Sequence, residues 1–159
     1  MDGDSARDGR LTGVPSKVSA AYEGGTLDIG RARALARAYL ERVRSVHGLP
    51  VSDRAMGMVQ LVVSELMTNA CKYAPGPCLL ELELVDDRLG ITVWDSELAL
   101  PTARAAEPGR VGQHGLEIVM AVSQSFQMHR EPVGKRMVAA VALVDGTGNG
   151  TGAVATGRP

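Results

Sequence analysis

Glu65, Asn69 and Lys72 stand at a spacing that gathers a carboxylate, a carboxamide and an ammonium on one side of a helix. At about 100° per residue the three fall within roughly 60° of arc. A neutral carboxamide oxygen is a hard ligand of the kind Mg²⁺ accepts beside waters and substrate phosphates. A glutamate can take the proton of a hydroxyl nucleophile, and a lysine adds positive charge for phosphate oxygens. Together they could perform metal-assisted handling of a phosphate. The same spacing also suits a solvated helix face, so the surrounding elements carry the decision.

Those elements can be read from apolar spacing. Met56, Val59, Val63, Leu66, Met67, Ala70 and Ala74 collect opposite the polar trio, giving a helix with its back on a core. Ser52 or Asp53 can cap it, and Pro75-Gly76-Pro77 ends it just after Tyr73. Upstream, residues 17–22 alternate as a strand, and residues 29–46 repeat at helical spacing until Gly48 and Pro50. Downstream, residues 78–85 and 89–95 form a hairpin about Asp86-Asp87. Residues 96–111 hold no firm period, 116–124 are helical, and 126–131 pair with 136–144 across Pro132-Val133-Gly134. The expected fold is an α/β (α+β) sandwich, one mostly antiparallel sheet with helices packed on one face.

Within that frame, Val-Ser-Glu-Leu-Met-Thr-Asn-Ala-Cys-Lys-Tyr-Ala, residues 63–74, resembles the N box of the GHKL (Bergerat-type) ATP-binding fold. The form is that of small anti-sigma factor serine/threonine kinases. Two further segments follow in the order of that family: Ile91-Thr92-Val93-Trp94-Asp95, a strand ending in Asp, and Gly112-Gln113-His114-Gly115-Leu116-Glu117-Ile118-Val119, a glycine turn opening a helix. The resemblance is collinear over residues 15–144.

The resemblance implies an ATP-binding regulatory protein in which Asn69 holds Mg²⁺ against the phosphates of ATP. Glu65 would accept the proton of a Ser or Thr hydroxyl on an anti-anti-sigma partner, with Lys72 adding charge at the phosphates. Asp95 would accept a hydrogen bond from the exocyclic amine of adenine, where guanine presents an acceptor, favouring ATP over GTP. Trp94 should point to the other side of the strand and pack. Gly112 and Gly115 would bring backbone amides to the phosphates, joined by the free N–H groups of a helix starting near Leu116. His114 lies in this turn, and Arg104 and Arg110 flank the segment that would form the lid. The partners implied are a sigma factor and an anti-anti-sigma factor, with a homodimer formed through the first strand or helix.

The chain departs from the family pattern twice. After the strand Asp the family has Asp-x-Gly-x-Gly, whereas this chain reads Asp95-Ser96-Glu97-Leu98-Ala99, which removes the close backbone approach to the nucleotide and adds a negative charge. At Gly134-Lys135-Arg136 the family usually has a Thr after Gly-Lys, whose hydroxyl supports the adenine-binding Asp through water, and Arg136 cannot reproduce that. A second reading therefore stands beside the kinase: a protein-binding module of the same fold with weak or no nucleotide binding. A sensor histidine kinase would need a phosphoacceptor on a dimerisation helix, and His47, at a helix end before Gly48, lacks the acidic neighbour of such a box.

Composition bounds the remaining possibilities. With 159 residues, 45% of them hydrophobic, the chain can bury one core, expected over residues 15–144. A formal net charge of -1 gives no basic surplus for a nucleic acid, and no apolar run approaches a membrane span. A cytoplasmic location is the expectation. Residues 1–14 and the glycine-rich residues 145–159 are expected to be disordered, and Cys71 and Cys78 to be free buried thiols.

Overall fold

The computed structural model describes residues 15–73, 76–96 and 111–144, and of residues 72–73 and 111–114 the backbone alone. The two ends, the segment carrying Glu97, Arg104 and Arg110, and the side chains of Lys72 and His114 lie outside the described residues.

The chain runs β1 (Lys17–Tyr22), α1 (Leu27–Arg42), a π-helical turn (Val43–His47), α2 (Asp53–Tyr73), β2 (Cys78–Val85), β3 (Arg88–Trp94), α3 (Val111–Val122), β4 (Ser125–Arg130) and β5 (Lys135–Ala142). The strands form one sheet in the order β1-β2-β3-β5-β4. Every pairing is antiparallel, so the "mostly antiparallel" expectation tightens to a fully antiparallel sheet in which β2-β3 and β4-β5 are hairpins. The three helices form the second layer, with α2 between α1 and α3 and lying against β3 and β5.

Period-two alternation sorts the sheet into two faces. Leu80, Leu82, Leu89, Ile91, Val93, Met137, Ala139 and Val141 are fully buried beneath the helices, while Ser19, Glu81, Thr92 and Val138 line the opposite face in register. The helix layer answers with Ala36, Leu40, Val59, Val63, Leu66 and Met67, all without exposure. Helix α2 therefore sits centrally, its axis fixed from both sides.

Local chemistry sets the ends of the helices. Ser52 is the cap of α2: its Oγ accepts the N–H of Ala55 at 3.0 Å, worth about 1 kcal/mol. Asp28 in the first turn of α1 reaches back to accept the N–H of Gly24 at 2.9 Å and of Gly25 at 3.2 Å, satisfying donors at the helix entrance. The chain leaves the π-helical turn through Gly48 at φ 78.

Candidate functional site

Asn69 lies on α2 at 2% exposure, and neither Oδ1 nor Nδ2 of its carboxamide finds a hydrogen-bond partner among the described residues. A buried amide without partners costs about 1–3 kcal/mol, so such a group calls for a ligand, an ion or a water to complete it. Glu65 stands one turn earlier on the same helix, partly exposed. Together they give a donor, two kinds of oxygen acceptor and a route to solvent.

Across from Glu65 stands Gly115 of α3, buried. A Cβ placed there would overlap Glu65 Oε1 and lie 3.3 Å from its Cδ. Absence of a side chain at 115 is thus what lets the carboxylate occupy the groove between α2 and α3. The first and third motifs of the sequence meet at this contact.

The glycine turn expected before α3 takes a different form. The helix already starts at Val111, so Gly112 and Gly115 sit within its first turns, and Leu116 is partly buried against the core. The first N–H groups of a helix lack an internal acceptor, and among the described residues these belong to 111–113. Leu116, expected to offer a free amide, does not. The amide donors of this end lie one turn earlier than the sequence spacing placed them.

Asp95 follows β3 directly and faces the helices, opposite in sense to Trp94 as the alternation requires. Both oxygens of its carboxylate accept from one residue. Lys135 donates its backbone N–H to Oδ1 at 3.2 Å and its ammonium to Oδ2 at 2.5 Å, while the N–H of Asp95 donates to the Lys135 carbonyl at 3.0 Å. The side chains are 1% and 0% exposed for Lys135 and Asp95. Gly134, at φ 81, allows the approach, since a Cβ there would stand 2.8 Å from Ser96 Cα and overlap the Asp95 carbonyl.

Lys135, the buried partner of Asp95, is the candidate-site residue that the sequence motifs do not mark. The sequence pattern points to position 136 for support of Asp95 and denies it to Arg136, which indeed turns away and pairs with Glu131 at 2.8 Å. The signal was available: Met137, Ala139 and Val141 alternate inward, so parity puts Lys135 on the inner face, next to the end of β3.

Cys71 and Cys78 are free, the first partly and the second fully buried. Burial, followed by the nearby Cys71, pushes the Cys78 thiol up to about 11, which leaves it poorly nucleophilic. No described helix is long and apolar enough to cross a membrane.

A family model described as the histidine kinase-like ATPase domain matches residues 26–141. Among solved structures, the chain is similar to the histidine kinase domain of a blue-light activated histidine kinase from Erythrobacter litoralis EL346. The identity is 17% over 88% of this chain and 81% of that one, with a TM-score of 0.47. No curated protein matches.

Proposed function

The chain belongs to the histidine kinase-like ATPase domain family, and we propose that it is an ATP-binding regulatory protein that acts as a serine/threonine kinase of the anti-sigma factor type. The observation that carries this reading is Asn69, a buried carboxamide with both polar atoms unpartnered among the described residues, one turn from a partly exposed glutamate. An orphaned hard oxygen ligand and the close approach of Gly115 fit a site for Mg²⁺ and phosphate. Asn69 Oδ1 would hold the metal, which when bound neutralises charge on the phosphate oxygens.

The residues of the chain divide the remaining work. Glu65 accepts the proton of the attacking Ser or Thr hydroxyl as its oxygen bonds to the terminal phosphorus and the bond to the ADP oxygen breaks. The first amides of α3 donate to the phosphates, aided by the positive end of that helix. Lys72, by the resemblance, would supply positive charge for the phosphates. Asp95, with Lys135, stands at the nucleobase end. The protein acted on would be an anti-anti-sigma factor, with a sigma factor as the sequestered partner, in a cytoplasmic homodimer.

Incubation with Mg²⁺, labelled ATP and a candidate partner tests this. Label should reach a Ser or Thr of the partner and be lost with Glu65→Ala. Label that stays off the partner, or that transfers equally with the variant, contradicts the kinase.

One observation favours a second reading. The pairing of Asp95 with Lys135 withdraws the nucleobase-facing carboxylate, as expected of a domain that keeps the fold for protein binding and binds nucleotide weakly or not at all. A ligand that prefers the folded state must raise stability. An unchanged melting temperature at millimolar Mg·ATP would support the binding module.

A further inference from the structure

We infer that Lys135 occupies the group that would read the base, so that the site takes Mg²⁺-bound nucleoside triphosphates with little distinction between adenine and guanine. The inference rests on the proposed Mg²⁺ and phosphate site at Asn69 and Glu65, and adds which part of the ligand is recognised.

Selection of adenine by a carboxylate needs an oxygen able to accept from the 6-amino group. Both oxygens of Asp95 already accept from Lys135, at 3.2 Å from the backbone N–H and at 2.5 Å from the ammonium. The Asp95 side chain is also 0% exposed and its charge is already neutralised by the ammonium, so an exocyclic amine arriving with the base gains no charge-assisted bond there. Lysine is almost never fully buried unless paired, and Lys135, at 1% exposure, has its pairing in Asp95. The pair is also anchored by the backbone on both sides, through the Asp95 N–H to the Lys135 carbonyl and through Gly134 packed on Asp95.

The same pairing removes the penalty against guanine. A bare carboxylate repels the 6-oxygen of guanine, whereas a carboxylate neutralised by an ammonium does not. Binding then depends on the other end, where Asn69 has both polar atoms available among the described residues. The ligand class is a Mg²⁺-bound polyphosphate whose base contributes stacking and shape but no hydrogen-bond code.

Calorimetric titration of the full chain in Mg²⁺ with ATP, GTP and inorganic tripolyphosphate tests the assignment. ATP and GTP should bind within about tenfold of each other, where a site built to hydrogen-bond its substrate rejects the wrong one by about 10⁴. Lys135→Met, by releasing Asp95, should widen the ratio towards ATP by at least about tenfold. A wild type preferring ATP by more than about tenfold, or a folded Lys135→Met with an unchanged ratio, overturns the inference and leaves the Asn69 site standing. If no ligand of the three binds, the Asn69 site and this inference fall together. Should Lys135→Met not fold, the wild-type ratio decides alone.

Discussion

Lys135 Nζ lies 2.5 Å from Asp95 Oδ2 at the join of β3 and β5, with both side chains excluded from solvent. Two charges withdrawn from water are costly singly and tolerable only together. Lys135→Met should therefore lower unfolding stability by about 3–5 kcal/mol, because it strands the carboxylate. Replacing both residues, Asp95→Leu with Lys135→Met, should recover most of that loss. Urea denaturation of the two variants beside the wild type checks it, and a double variant no better than the single one contradicts the pairing.

Asn69 sets function against stability. Asn69→Leu removes an unpartnered buried amide, so the ligand-free protein should gain about 1–3 kcal/mol. The stabilisation given by Mg·ATP should vanish in the same variant. Melting curves with and without Mg·ATP read both effects, and a destabilised ligand-free variant would place a partner on Asn69.

Gly115→Ala separates packing from chemistry. The added methyl meets the end of the flexible Glu65 side chain, which can swing aside. Stability should change by less than about 1 kcal/mol while phosphoryl transfer falls about 10²-fold or more, since a displaced base loses its catalytic contribution. A variant with full transfer would show that Glu65 works from another position.

Tyr39 makes the alkaline limb of stability. Its hydroxyl donates to the Pro15 carbonyl at 2.7 Å, and burial pushes it from 10.0 up to about 12, with Glu83 adding to the rise. A folded-state value above the unfolded one gives stability that is complete below pH 10.0 and lost as pH climbs towards 12. Tyr39→Phe should flatten that loss in denaturation midpoints measured across the range. At the acid end the sign reverses for Asp28, held below its usual 3.8 chiefly by the Gly24 N–H. Its contribution is present above that pH and lost as the pH falls further.

Much of this fold was legible because its strands alternate cleanly and its breakers are strong. The alternation over 17–22 and 78–85 matches β1 and β2 to the residue, and of Ser52 and Asp53 it is Ser52 that caps α2. The start of α3 is harder to place from sequence, since Gly112 and Gly115 look like a turn, yet both lie inside the helix. Glu65 and Asn69 were found from spacing on one helix, a local property. The Lys135 contact joins residues 40 apart in sequence, and only strand order and parity together reveal it.

The central claim is that Asn69 completes a Mg²⁺ and triphosphate site. Calorimetric titration of Mg·ATP into wild type and Asn69→Ala tests it most directly. Wild type should bind only when Mg²⁺ is present, and Asn69→Ala should bind at least about tenfold more weakly. Absence of binding to wild type at millimolar Mg·ATP, or equal binding to the two, would contradict it.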